Sequence, residues 1–194
     1  LTRPVHLGMV ERHADEAAFL WSRRDLAARS PAFDLASLAE LDGRLEANLE
    51  GLVLAGEHGL AAARSALERA SRRGGDTDGE LFTVAHVAAE LGDRASLSAA
   101  LALAEVARPA ARPVVSALAW LSEGAAARAV NDLCAGASPW LLRVVLGARV
   151  ARRDDPGDLL LVALSSPDVP LRARALLAVG ELGRRDLAPE GWGA

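Results

Sequence analysis

Apolar residues recur at helical spacing along nearly the whole chain, and the two-residue alternation that is typical of half-buried strands is almost absent. The clearest segment runs from Leu35 to Ala55, and Asp34 stands at its N-cap position, shortly after Pro31. The leucines of this segment share one stripe: Leu38, Leu41, Leu45, Leu49 and Leu52. A further helix is predicted from His58 to Arg72. The pattern therefore predicts an all-α chain.

A cluster of helix-breaking residues, GGDTDG at 74–79, is the predicted boundary inside the chain. Residues 1–78 are expected to form an N-terminal segment of about three helices. Residues 79–194 repeat a pattern of one helix, a turn with Gly or Asp, and a second helix, with a period of about 30 residues. We therefore expect a right-handed α-solenoid of helical hairpins with about three and a half repeats, packed with the N-terminal segment as one continuous solenoid.

The composition indicates a folded chain without a nucleic-acid partner. Hydrophobic residues make up 51% of the 194 residues, which is enough for a core. The net charge is -4, and the 22 basic residues, all arginines, are interleaved with acids instead of forming a basic stripe. No apolar run reaches the length of a membrane span, and the first ten residues lack the layout of a signal peptide. We expect a cytoplasmic protein with neither a nucleic-acid nor a membrane partner.

The last repeat carries a recognisable motif. Its features are, in chain order, Asp168, Val169, Arg172, the pair Ala175–Leu176 and the ending Gly180–Gly183. This repeat resembles a HEAT repeat of the short bacterial kind, which implies that the solenoid is built from HEAT-like hairpins. Only one helix of this repeat is predicted. We therefore expect exposed apolar surface at that end, with homo-oligomer contacts there or an irregular cap formed by Trp192.

The N-terminal part carries a narrower pattern. It consists of HADEAAFLWSRRD, FDLASLAELDGRLEANLEGL and AGEHGLAAARSALE. These segments resemble the opening of an uncharacterised bacterial HEAT-repeat family whose members are typically encoded beside type VI secretion genes, near adaptor and spike-tip proteins. The resemblance implies an accessory or scaffold role in secretion. It also implies an effector or a spike-tip component as the protein partner.

Residues that could carry chemistry are sparse. His13 and Glu16 form an H-x-x-E pair, but a metal site needs three or four ligands, and no HExxH, CxxC or second His-carboxylate pair completes the set. Cys134 lies among apolar helical residues, which predicts a buried structural thiol. Nucleophile motifs and phosphate-binding Gly-rich loops are absent from the sequence. We therefore predict no catalytic, metal-binding or cofactor-binding residue and no enzymatic activity.

Four arginine pairs lie at predicted helix C-termini, at positions 23–24, 72–73, 152–153 and 184–185. One interpretation is favourable electrostatics at the negative ends of the helices. The other is a ridge of arginines that holds carboxylates or phosphates. The first is favoured because an Asp directly follows three of the pairs and neutralises them locally.

The first predicted helix is apolar on two sides. One face holds Val10, Ala14, Ala17 and Trp21. Phe19 and Leu26, which are seven residues apart, lie nearly opposite that face. Both sides need cover, either from neighbouring helices or from a partner, and we predict that Phe19 and Leu26 contact a partner.

The tryptophans of the repeats suggest a second contact patch. Trp120 is predicted to lie inside a helix and to be part of the core. Trp140 begins a later helix, and with Arg143 it combines two residue types that are frequent at interface hot spots. We therefore predict that Trp140 and Arg143 bind a protein partner.

Three classes of function remain open. The first is a non-catalytic HEAT-repeat scaffold or adaptor, because extended solenoid surfaces bind proteins. The second is a HEAT-like enzyme of the DNA glycosylase type, against which the negative net charge weighs. The third is a HEAT protein that resembles chromophore lyases, for which the sequence offers no paired acid and base.

Overall fold

The computed structural model describes residues 5–107 and 111–187, and the regular structure of these residues is entirely helical. The α-helices are α1 (Leu7–Ala27), α2 (Leu35–Leu54), α3 (Glu57–Arg73), α4 (Asp78–Leu91), α5 (Arg94–Ala107), α6 (Arg112–Ala119), α7 (Glu123–Cys134), α8 (Pro139–Ala151), α9 (Asp158–Leu164) and α10 (Val169–Glu181). A short 3₁₀ turn covers Arg185–Leu187. The all-α prediction is confirmed, while the predicted cap by Trp192 lies outside the described residues.

Contacts along the chain divide it into two compact units, an N-terminal unit (Leu1–Ala117) and a C-terminal unit (Leu118–Ala194). The predicted boundary at 78/79 lies after the first residue of α4, which begins at Asp78, while α3 ends at Arg73. Within the N-terminal unit, α4 packs against α1 and α3. The grouping of α4 and α5 with the later repeats stays a prediction.

Local sequence signals place several helix ends where they were expected. Asp34 caps α2, because its side chain accepts a hydrogen bond from the Ser37 backbone N–H at 2.8 Å. Asp168 caps α10 in the same way, through the Leu171 N–H at 2.8 Å. Pro170 lies in the first turn of α10, where its missing N–H removes no helical hydrogen bond.

Two glycines let helices of the N-terminal unit approach closely. A Cβ atom on Gly79 of α4 would lie 2.1 Å from the carbonyl oxygen of Ala18 on α1. A Cβ atom on Gly59 of α3 would lie 1.9 Å from the carbonyl oxygen of Leu52 on α2. Both distances are far inside van der Waals contact, so these positions require glycine. The backbones of the paired helices therefore pack directly against each other.

An aromatic column fixes α1 against α4. The Trp21 ring stacks on Phe82 with centroids 5.2 Å apart, and Phe82 stacks on His86 at 5.9 Å. The Trp21 Nε1–H donates to Ser116 Oγ at 2.9 Å, and His86 Nδ1 lies 3.4 Å from the Ala117 carbonyl oxygen. All three rings are buried. The column therefore sets which side of α1 faces inward.

The C-terminal unit has an aliphatic core where α8, α9 and α10 meet. This core consists of Leu146, Val150, Leu160, Ala163, Leu171, Ala175, Ala178 and Val179. The small residues at 175 and 178 let α10 approach its neighbours, as expected for the small-large run of the last repeat. The arrangement of the helices as a continuous solenoid stays a prediction.

Candidate functional site

Helix α1 buries one side and exposes an apolar stripe on the other. Ala14, Ala17 and Trp21 lie in the core, in agreement with the helical pattern. Phe19 and Leu26 lie on the opposite side with 57% and 62% of their surface exposed. Exposed phenylalanine on an ordered helix is uncommon, because burying its side chain would release about 1.5 to 3 kcal/mol. The two residues predicted from the sequence to contact a partner are therefore available for one.

Ion pairs flank this stripe on both sides. Asp15 accepts a hydrogen bond from Arg69 of α3 at 2.7 Å, and Glu16 accepts one from Arg44 of α2 at 2.7 Å. Both acids next to the stripe are therefore bound to arginines of the same unit.

Two further arginines lie on the stripe itself. Arg12 is exposed, and its Nε–H donates only to the Gly8 carbonyl oxygen among the described hydrogen bonds. Arg23 is exposed and has no described ion pair. We name the set of Arg12, Asp15, Glu16, Phe19, Arg23 and Leu26 the α1 outer face. Arg44 and Arg69 pair with the two acids of this face, which leaves Arg12 and Arg23 as its arginines without a described carboxylate partner.

The H-x-x-E pair of α1 is used for helix packing. His13 Nδ1 lies 2.8 Å from Asn48 Oδ1, and its ring packs so closely on Gly51 that a Cβ there would lie 3.0 Å from it. Glu16 points to Arg44 instead. No group of three or more His, Cys, Asp or Glu side chains that could hold a metal is found among the described residues.

Trp140 and Arg143 lie on α8 and are half-buried. The Trp140 Nε1 atom is buried and makes no hydrogen bond within the described residues. Their predicted role in partner binding is not tested by this placement and stays a prediction. Trp120 was expected inside a helix, but α6 ends at Ala119, and Trp120 is half-buried in the turn that follows.

The C-terminal unit also contains a groove of about 520 Å³ that the sequence did not reveal. Its floor is apolar, with Leu121, Ala126 and Val145 among the lining residues. Arg149 and Arg152 lie at its edge, but their guanidinium groups already donate to backbone carbonyl oxygens. The groove therefore offers shape and apolar surface but no arginine that is free to hold an anion.

The arginine pair at 152–153 binds helix ends, whereas Arg184 pairs with Asp155 and Asp186. Arg152 donates to the carbonyl oxygens of Ala119 (3.1 Å) and Leu121 (2.6 Å), and Arg153 donates to Glu181 (2.6 Å). These carbonyls lie at or near the C-termini of α6 and α10, where backbone acceptors lack helical partners. For the pair 152–153, this geometry agrees with the helix-end interpretation. It does not form a ridge of free arginines at these positions.

Cys134 ends α7 and is half-buried, so the expected full burial is not observed. Burial raises the pKa of its thiol, and the nearby Arg149 lowers it by less. A raised pKa leaves little thiolate at neutral pH, which disfavours a nucleophilic role.

Exposed apolar residues also occur on α10, where Val169 and Leu177 lie on its outer side. They are located near the end of the chain for which homo-oligomer contacts were predicted. Since no second copy is present, that oligomer stays a prediction.

The chain matches no protein-family model, no curated protein and no solved structure. No described helix is both long enough and apolar enough to cross a membrane. The most distinctive surface of the described residues is the α1 outer face, which combines exposed Phe19 and Leu26 with exposed arginines.

Proposed function

We propose that this protein is a non-catalytic scaffold that binds another protein through the α1 outer face. The observation that carries the proposal is the exposure of Phe19 and Leu26 on a helix held rigidly by α2, α3 and α4. A rigid surface loses little conformational entropy on binding, and aromatic residues are enriched in protein interfaces. A large apolar side chain in such a place is more useful for recognition than for stability.

The proposal includes a HEAT-repeat solenoid architecture and an accessory role in type VI secretion in the cytoplasm. Support for the finer assignment comes from the N-terminal segments that resemble the secretion-linked family and from the HEAT-like entry at Asp168. The partner would be an effector or a spike-tip component. Trp140 and Arg143 are a secondary contact patch in this proposal.

Affinity capture from the native host tests the function. The full chain is compared with a Phe19→Ser/Leu26→Ser variant and with a matched Leu35→Ser/Leu54→Ser variant. Leu35 and Leu54 are exposed leucines of α2, so the control removes as many exposed apolar side chains from another surface. We expect a secretion component encoded beside this gene to be enriched by the wild-type and control chains and lost from the α1 variant.

The proposal is overturned if no secretion component or effector is enriched by the wild-type chain. Salt-dependent binding of duplex DNA by the same preparation would favour the glycosylase-like alternative instead.

A further inference from the structure

The exposed residues of α1 have the spacing of a helix-pairing seam. Arg12, Phe19 and Leu26 are exposed and separated by seven residues each, and the exposed Asp15 stands three residues after Arg12. This is the a and d spacing by which one helix packs along another. The seam is about 21 Å long, since each residue adds about 1.5 Å. Its length and straightness suit a helical partner better than a loop or a flat surface.

We propose that the α1 outer face binds an amphipathic α-helix of another protein that presents leucine-type side chains flanked by Asp or Glu. This inference rests on the proposed protein-binding function and names the chemistry of the partner. The apolar side chains of the partner helix would pack on Phe19 and Leu26. Its acidic side chains would lie beside Arg12 and Arg23.

The charge of the surface selects an acidic partner over a basic one. Asp15 and Glu16 already pair with Arg69 and Arg44, so most of their charge is neutralised and attracts a basic helix only weakly. Arg12 and Arg23 have no described carboxylate partner. Charges at the edge of an interface contribute modestly to affinity, but they discriminate strongly between partners of opposite sign. Arg12 and Arg23 therefore provide positive charge for a partner, although the whole chain has a net charge of -4.

A second copy of the chain is a poorer occupant of this face. A parallel copy would place Arg12 and Arg23 beside the same arginines of its neighbour. An antiparallel copy centred on Phe19 would bring Arg23 near Asp15 of the other copy, but the charge of that carboxylate is already largely neutralised by Arg69. Charge complementarity therefore favours a different, acidic helix.

Two synthetic helical peptides of equal length test the inference. Both carry leucine at the a and d positions; one carries glutamate and the other lysine at the flanking positions. Binding to the full chain is measured by fluorescence anisotropy. We expect the glutamate peptide to bind at least ten times more tightly than the lysine peptide. Phe19→Ser should weaken its binding at least tenfold, whereas the control Leu54→Ser should leave it unchanged.

Charge reversal gives the sharper result. In an Arg12→Glu/Arg23→Glu variant, the preference should reverse in favour of the lysine peptide. Both substitutions lie on exposed positions, and far-UV circular dichroism verifies that the helices are retained. A reversed preference in a folded variant cannot come from loss of structure.

Three results would overturn the inference. These are failure of both peptides to bind, equal binding of both, or a preference that charge reversal does not change. A wild-type dimer in sedimentation velocity that Phe19→Ser dissociates would also overturn it and identify a second copy as the occupant. Failure here is distinguishable from failure of the proposed function. If the wild-type chain and the α1 variants capture a secretion component equally, the scaffold role is supported. The α1 outer face is then not the binding surface.

Discussion

In the N-terminal unit, glycine contacts and stacked rings join helices in addition to aliphatic side chains, whereas in the C-terminal unit the aliphatic core is accompanied by arginine-to-carbonyl hydrogen bonds. Gly79 brings the α4 backbone against α1, and Phe82 locks the rotation of α1 through Trp21. In the C-terminal unit, Leu160 and Leu171 fill the core and Arg152 binds helix ends. Where two helix backbones touch, neither helix can move closer to the other, whereas long side chains at a contact can change rotamer. The N-terminal unit, in which backbones touch, is also the unit that carries the exposed α1 outer face.

Replacement of Phe82 by alanine should produce the largest effect. The side chain is fully buried between Trp21 and His86, and its loss leaves a cavity in the column. We expect a loss of about 3 to 5 kcal/mol in the free energy of unfolding, measured by urea denaturation with circular dichroism. Phe19→Ala is the matched control, because that ring is exposed; its change should stay within about 0.5 kcal/mol. Similar losses in the two variants would contradict the role of the column.

Adding a methyl group at Gly79 tests whether the backbones of α4 and α1 are in direct contact. Gly79→Ala places a Cβ against the Ala18 carbonyl, so α4 must move away from α1. We expect it to destabilise the chain by about 2 to 3 kcal/mol. The control is Gly43→Ala in α2, which meets no atom within 4 Å and should stabilise the chain by about 0.5 to 1 kcal/mol. Stabilisation by both substitutions in urea denaturation would show that the helices are not in direct backbone contact.

Structural features that depend on residues close together in the chain could be predicted from the sequence. The caps at Asp34 and Asp168 involve a side chain and an N–H three residues later, so the local sequence contains both partners. The inner and outer sides of α1 also followed from helical spacing alone. Phe19 and Leu26 were located for the same reason.

Features that join distant parts of the chain could not be predicted. The hydrogen bond from Trp21 to Ser116 spans 95 residues, and nothing in either local sequence indicates the other. The binding of Arg152 to Ala119 and the groove of the C-terminal unit depend on packing in the same way. Trp120 was misplaced because α6 ends one residue before it, and helix ends are weakly encoded when no strong cap is present.

In the C-terminal unit, Arg152→Ala should destabilise the chain less than Phe82→Ala or Gly79→Ala does. Arg152 is largely buried and binds the Ala119 and Leu121 carbonyls as well as Asp154. Its removal leaves these acceptors to partial solvation, so we expect a loss of about 1 to 2 kcal/mol in thermal or urea denaturation. Arg185→Ala is the control, since Arg185 is exposed and has no described side-chain bond; no measurable change is expected there. An equal decrease in the free energy of unfolding in both variants would mean that loss of a positive charge, and not loss of the Arg152 hydrogen bonds, destabilises the chain.

The smallest predicted effect comes from His86 at the end of the aromatic column. Burial lowers its pKa below the ordinary histidine value of about 6.5, while the nearby Glu90 and the Ala117 carbonyl raise it by less. The unfolded chain therefore takes up a proton at a higher pH than the folded chain. The stabilisation is complete above about pH 6.5 and is lost as the pH falls from there toward the lowered pKa, with a slope of up to about 1.4 kcal/mol per pH unit.

Urea denaturation at pH 7.5 and pH 5.5 isolates this effect. We expect the wild-type chain to lose about 1 kcal/mol more over this interval than a His86→Gln variant, whose side chain cannot take up a proton. All other titratable groups are the same in both proteins, so their contributions cancel in this comparison. The same pH dependence in the variant and the wild type would mean that His86 is protonated as readily in the column as in water. The N-terminal unit would then be less tightly closed around its rings than the Trp21–Phe82 stacking indicates.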